Sequence, residues 1–169
     1  MLSEIASLFD PMKWLAPIII VAKMLIQEHW LRGCNWDTPV DEDIENAWAD
    51  FRGSLNSISD LRIPRWFSTN KSSTWELHGF SDASKRAYAA IIYLVNKDTQ
   101  PHEVILITAK SKVAPVKTMI ITRLELCGAQ LLARLVHSSL GNLQHRSAAV
   151  YCLSDSTTTL AWLRGHPSR

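Results

Sequence analysis

Residues 75–95 read WELHGFSDASKRAYAAIIYLV, and this stretch decides the fold. Trp75 to Ser81 and Tyr88 to Val95 are strand-like, and Ser84-Lys85-Arg86 between them suits a short turn, so a β-hairpin is expected. Downstream, Val104 to Ala109 (VILITA) reads as a third strand, and Lys110 to Lys117, with Pro115, as a basic loop. Thr122 to Leu140 is a helix by its spacing: Leu124, Cys127, Leu131, Leu135 and Val136 share one face, and Gly141 closes it. Ala148 to Leu153 (AAVYCL) is a fourth strand, and Ser156 to Leu163 a short helix. The order β-β-β-α-β-α predicts an α/β fold on a mixed sheet.

Upstream, residues 1–60 read as helical. Ser3 to Phe9 is a short helix ended by Asp10-Pro11, because the residue before a proline avoids the helical region. Pro17 to Leu31 follows, stopped by Gly33. Thr38-Pro39 opens a third helix, whose apolar positions Ile44, Ala47, Trp48, Phe51 and Leu55 fall three and four apart. Asp41, Glu42, Asp43 and Glu45 crowd its first turn, where the helix dipole favours negative charge, so this cluster reads as a solvated helix start and not a metal site. Residues 61–73 (LRIPRWFSTNKSS) lose all periodicity and mark a linker. The chain thus divides into a helical region 1–60, a linker 61–73 and an α/β region 74–169.

Composition supports that division. The 169 residues are 47% hydrophobic and 20% charged, which excludes a disordered chain. The net charge of +2 conceals an asymmetry. Residues 1–60 carry 4 basic and 10 acidic side chains, a net −6, whereas residues 61–169 carry 14 and 6, a net +8. A basic half points to a polyanionic partner. Cys34, Cys127 and Cys152 have neither zinc-ligand nor disulfide-framework spacing and read as buried thiols. The longest apolar stretch, Trp14 to Ile26, spans 13 residues and contains Pro17 and Lys23. That falls short of the roughly 20 needed to cross a membrane, and it lacks the flanks of a signal peptide. No membrane association and no export route are expected.

Three of the six acidic residues in the basic half sit at special places. Asp82 ends the first strand, Glu125 lies in the first turn of the long helix, and Asp155 follows the fourth strand. If strands one and four are neighbours, the two aspartates approach each other and a helix over the sheet can bring in Glu125. Hard oxygen ligands converging in this way suit Mg²⁺ or Mn²⁺. Two such ions about 3.5–4 Å apart can both activate water and stabilise the leaving oxygen of a phosphodiester. Bland readings stand beside this one. Asp82 can cap the hairpin turn, Asp155 can cap the next helix, and Thr122-Arg123-Leu124-Glu125 fits a capping box.

Family resemblance adds to the constellation. ELHGFSDASKRAYAAIIYL (Glu76 to Leu94), ITRLELCGAQLLARL (Ile121 to Leu135) and VYCLSDSTTTLAWL (Val150 to Leu163) closely resemble the polyproteins of Bel/Pao-type LTR retrotransposons. SLFDPMKWLAPIIIVAKMLIQEHW (Ser7 to Trp30) resembles the segment that follows the reverse-transcriptase palm in the same polyproteins, a region often called the Pao retrotransposon peptidase. The resemblance implies a thumb- or connection-like region over residues 1–60 and an RNase H-like domain from about residue 74. In RNases H the carboxylates come in the order Asp, Glu, Asp, which Asp82, Glu125 and Asp155 match one by one; integrases of the same fold carry Asp, Asp, Glu. The implied activity is Mg²⁺- or Mn²⁺-dependent hydrolysis of RNA in RNA–DNA hybrids. The implied partners are nucleic acid and the reverse transcriptase and integrase of the same Pol polyprotein, in intracellular replication particles.

Three departures accompany it. Lys13 stands where such elements have glycine, which puts the turn at Asp10-Pro11-Met12-Lys13-Trp14 in question. RNases H continue with a fifth strand and a last helix bearing a fourth aspartate, and no such segment precedes the end at Arg169. The polymerase palm is also absent. A truncated RNase H-like sheet cut from a longer polyprotein is therefore expected, with an inactive nucleic-acid-binding remnant as one alternative. An aspartic peptidase is the other; it needs paired D-[ST]-G turns, whereas Asp82 precedes Ala83 and Asp155 precedes Ser156-Thr157.

Candidate backbone-phosphate contacts are Lys85 and Arg86 in the hairpin turn, Lys110, Lys112 and Lys117 around the basic loop, and Arg123 beside Glu125. An RNA–DNA hybrid is read by shape and 2′-hydroxyls, for which Ser81, Ser84, Ser154 and Thr157 are candidate donors. Trp14, Trp30, Trp48 and Trp162 fall in helical patterns and read as core, while Trp36 and Trp66 lie in loops. His78 and His166 match no ligand set.

Overall fold

Burial alternates along residues 75–81: Trp75, Leu77, Gly79 and Ser81 face inward, and Glu76, His78 and Phe80 face the other way. That is the signature of a strand covered on one face. A computed structural model describes residues 2–6, 9–35, 38–64, 74–143 and 149–165 of the chain. The elements are α1 (Leu2–Ala6), α2 (Ala16–Leu31), α3 (Glu42–Ser54) continued by a 3₁₀ turn (Leu55–Asp60), β1 (Trp75–Ala83), β2 (Ala87–Asn96), β3 (Glu103–Val113), α4 (Ile121–Leu143), β4 (Ala149–Leu153) and α5 (Thr157–Arg164). The α/β order is the expected β-β-β-α-β-α. Trp36, Trp66, His166 and most of the 61–73 linker lie outside the described residues.

The four strands form one mixed sheet in the order β3-β2-β1-β4. β1 pairs antiparallel with β2 and parallel with β4. The hairpin turn forms at Ser84-Lys85-Arg86. Ser84 Oγ accepts from the amides of Arg86 (3.2 Å) and Ala87 (3.1 Å), and the Ser84 amide donates to the Ala87 carbonyl at 2.8 Å.

α4 covers one face of the sheet. Its Leu124, Leu131, Leu132 and Val136 are buried, the last three in one cluster with Leu77, Ala90, Ile92 and Leu94. Burial of each large aliphatic side chain contributes about 1.5–3 kcal/mol. Two glycines allow the helix to sit close. A Cβ on Gly79 would lie 2.6 Å from Leu132 Cδ1, and one on Gly128 would lie 3.4 Å from the Asp82 carbonyl oxygen.

Several expectations are corrected. Lys110 and Lys112 are in β3, not in a loop, because residues 110–113 continue the ladder opposite Ala87–Ala90. Gly141 lies inside α4, which runs on to Leu143. Trp30 is 53% exposed and Trp162 48% exposed, so neither is core. None of the cysteines is buried: Cys34 and Cys127 are half-buried and Cys152 is exposed on β4.

The helical region docks along β3. Trp14 Nε1 donates to the Ile107 carbonyl (3.2 Å), Thr108 Oγ1 to the Met12 carbonyl (2.9 Å) and Ser111 Oγ to the Ala16 carbonyl (2.9 Å). The turn before α2 forms despite Lys13, which takes φ +63°. Asp10 holds it, its carboxylate oxygens accepting from the Trp14 and Leu15 amides at 3.0 Å. Gly33, at φ +75°, terminates α2 as expected. Of the acidic residues at the start of α3, Asp41 and Asp43 bind Arg32 at 2.8 and 2.6 Å, which also bonds Glu28 at 3.0 Å. This network ties α3 to α2; it holds the Asp43 carboxyl below, and the Arg32 guanidinium above, its ordinary pKa.

Candidate metal centre

The parallel pair β1–β4 places two aspartates side by side. Phe80 pairs with Leu153, and two residues further along each chain stand Asp82 and Asp155. Asp82 is exposed near the end of β1, with Oδ1 accepting from the Ala83 amide at 2.7 Å. Asp155 is exposed before α5. It does not cap that helix: Ser156 does, its Oγ accepting from the Thr159 amide at 3.3 Å. Thr159 is fully buried, which fixes the turn carrying Asp155.

Glu125 comes from α4. The helix begins at Ile121, so Thr122 lies inside it and the capping-box reading of Thr122 and Glu125 fails. The Arg123 and Leu124 amides bond instead to the Ile120 carbonyl. Close seating of α4 on β1 carries Glu125 to the end of the sheet. One ligand oxygen from each of Asp82, Glu125 and Asp155 lies within 4.8 Å of the other two.

The electrostatics fit a cation site. Burial first, and then the charges of Asp82 and Asp155, push the Glu125 carboxyl above the usual carboxylate range, against a smaller opposing pull from the Ala83 amide. Glu125 Oε2 is enclosed and, among the described residues, has no hydrogen-bond partner. An enclosed carboxylate oxygen facing two more carboxylates is costly without a positive charge nearby. The donor set is entirely hard oxygen, the chemistry of Mg²⁺ or Mn²⁺.

Residues 1–156 match the family model described as the Pao retrotransposon-like RNaseH-like domain. The chain belongs to this family. Membership agrees with the mixed sheet, and with the retroelement origin expected from the sequence. Two solved structures are also similar. The foamy viral protease-reverse transcriptase in complex with dsDNA is 12% identical with a TM-score of 0.43, the match covering 99% of this chain and 35% of that one. The foamy viral protease-reverse transcriptase dRH, in complex with dsDNA, gives the same identity and TM-score over 98% and 29%. The chain thus spans about a third of the length of these proteins. No curated protein matches it.

The candidate phosphate contacts of this family member are distributed unevenly. Lys110 lines a cavity of about 750 Å³ that also holds Asp82 and Asp155. Lys85 and Arg86 line a second cavity, of about 810 Å³, between α2, the hairpin turn and residues 114–121. Lys112, Lys117 and Arg123 are exposed and line neither. Of the hydroxyls, Ser81 is 7% exposed, with its Cβ beside Gly128 of α4, and it lines the cavity that holds Asp82 and Asp155. Ser84 and Ser154 serve their own turns, Ser154 Oγ accepting from the Ser156 amide at 3.3 Å. His78 bonds Glu76 at 3.0 Å and stacks on Tyr151. Sequence reasoning missed the contribution of α2 to both cavity walls, through Ala16, Pro17 and Ile20 in the first and Met24 and Gln27 in the second. No local motif signals it, because α2 meets segments far along the chain, as where Gln27 bonds Ala114, 87 residues away.

Among the described residues, no helix is long and apolar enough to cross a membrane.

Proposed function

We propose that the α/β region is a metal-dependent ribonuclease H that hydrolyses the RNA strand of RNA–DNA hybrids, acting within a retroelement Pol polyprotein beside its reverse transcriptase and integrase. The observation that carries this reading is the convergence of Asp82, Glu125 and Asp155 within 4.8 Å. These three side chains would hold Mg²⁺ or Mn²⁺. When bound, the ions supply a water-derived nucleophile and charge stabilisation for the leaving oxygen.

The chain's own residues do the rest. The Ala83 amide and the Ser156 cap orient the two aspartates before substrate arrives. Lys110, on the wall of the same cavity, meets the phosphate charge of the bound strand. Lys85, Arg86, Lys112, Lys117 and Arg123 hold neighbouring phosphates without reading sequence. Residues 1–60 serve as a thumb- or connection-like region, and 61–73 as the linker to the nuclease.

Hybrid cleavage by the purified chain tests this. Cleavage is expected with Mg²⁺ or Mn²⁺, lost on chelation, and reduced at least about a hundredfold in Asp82→Asn and Asp155→Asn. Binding of hybrid without cleavage under any divalent metal would instead indicate an inactive nucleic-acid-binding remnant.

A further inference from the structure

We propose that Gln27, on α2, is a positioning residue that clamps the hairpin turn beside the acidic cluster. Gln27 is half-buried, and its Nε2 donates to the Ala114 carbonyl at 2.7 Å. Ala114 is itself buried, and its amide donates to the Arg86 carbonyl at 2.8 Å. One chain of hydrogen bonds therefore runs from a helix of the N-terminal region, through the end of β3, to the turn that follows Asp82. A second, looser tie runs parallel to it, from Glu28 Oε2 to Arg86 at 3.6 Å.

The geometry explains why such a clamp matters. Residues 84–86 are a three-residue connection between β1 and β2, and they carry Lys85 and Arg86. Their own bonds, through Ser84 Oγ, set the turn's shape but not its tilt relative to the rest of the molecule. The tilt is set from outside, by Ala114 and behind it Gln27. A turn free to tilt offers Lys85 and Arg86 to a phosphate backbone only part of the time, so the entropy of ordering it weakens substrate binding. With the turn already held, substrate affinity gains while the carboxylates, fixed by β1, β4 and α4, are unaffected. The clamp stands on geometry alone; its effect on hybrid rests on the nuclease reading above.

The test combines amide hydrogen exchange with hybrid-cleavage kinetics for wild type, Gln27→Met, Gln27→Lys and Met24→Leu. Gln27→Met keeps the length of the side chain and removes its donor, and Gln27→Lys restores a donor. Met24→Leu alters packing in the same cavity. In Gln27→Met the Arg86, Ala87 and Ala114 amides are expected to exchange about 3–10 times faster, the worth of one hydrogen bond. The KM for hybrid should rise by a similar factor with kcat changed less than about twofold. Gln27→Lys should restore the exchange rates, and Met24→Leu should leave them unchanged.

Faster exchange by the same factor at Ile92 and Leu94, in the middle of the sheet, would show general destabilisation and overturn the clamp. Unchanged exchange at the turn would also overturn it. Absence of cleavage by wild type, with the turn amides responding as expected, would overturn the nuclease reading and the kinetic half of the proposal while leaving the clamp in place.

Discussion

Phe80 of β1 and Leu153 of β4 are register partners in a parallel pair, and each is followed two residues later by an aspartate. This register makes the acidic cluster. A shift of one residue would turn one aspartate to the opposite face. Glu125 joins them because α4 sits close to β1, over Gly79 and through its own Gly128 against the Asp82 carbonyl.

Among the described residues, no ion pair neutralises the three carboxylates of the cluster. Glu125→Gln should therefore stabilise the metal-free chain, by about 2–4 °C in Tm. The same substitution should remove the Tm increase that millimolar Mg²⁺ or Mn²⁺ gives the wild type, an increase expected from preferential binding to the folded state. Thermal melts with and without metal read both effects. A Glu125→Gln chain less stable than wild type without metal would contradict the account.

Lys13 occupies the left-handed region at φ +63°, where an L side chain costs about 1–2 kcal/mol and glycine does not. Lys13→Gly should raise the unfolding free energy by about 1 kcal/mol in denaturant titration, after the entropic cost of glycine in the unfolded chain is subtracted. Lys13→Ala should give no such gain.

Glu76 accepts from His78 at 3.0 Å and lies 3.7 Å from Lys97. These partners, His78 first, hold its carboxyl below the usual glutamate value of 4.5. A lowered folded pKa means that the unfolded chain binds the proton more tightly, so the stabilisation is present above about pH 4.5 and is lost as pH falls through the lower folded value. Stability measured from pH 6 downward should fall less steeply in Glu76→Gln than in wild type, with the difference arising below about pH 4.5. Parallel curves would contradict the pairing.

The basic residues should act on phosphates and not as base readers. Replacing Lys85, Arg86 and Arg123 together by Gln should weaken hybrid binding equally for unrelated sequences. It should also flatten the slope of log affinity against log salt by about 0.7–0.9 for each phosphate that is no longer neutralised. An unchanged slope would mean that these side chains are solvated surface.

Legibility in the sequence differs by element. The hairpin is readable because Ser84-Lys85-Arg86 interrupts two strand-like runs, and the element order follows from similar local signals. The three carboxylates are readable as candidates, but their meeting is conditional on a long-range pairing of β1 with β4 that no local pattern encodes. The end of β3 escapes a sequence reading because Lys110 and Lys112 look like loop residues. They alternate with Ala109, Ser111 and Val113, and the cross-strand partners Ala87–Ala90 carry that alternation into the sheet. The exposure of Trp30 and Trp162 escapes it too, because helical periodicity shows which residues share a face, not whether another element covers it. The burial of Ser81 beside an exposed Asp82 follows from strand alternation, which turns sequence neighbours to opposite faces.

The central claim is that Asp82, Glu125 and Asp155 form one cation site. Paramagnetic broadening of amide resonances by substoichiometric Mn²⁺ tests it most directly. Selective broadening is expected at residues 81–84, 124–126 and 154–156 in wild type, abolished in Asp82→Asn. No broadening at these positions, or stronger broadening at Asp41, Glu42, Asp43 and Glu45 around the start of α3, would contradict it.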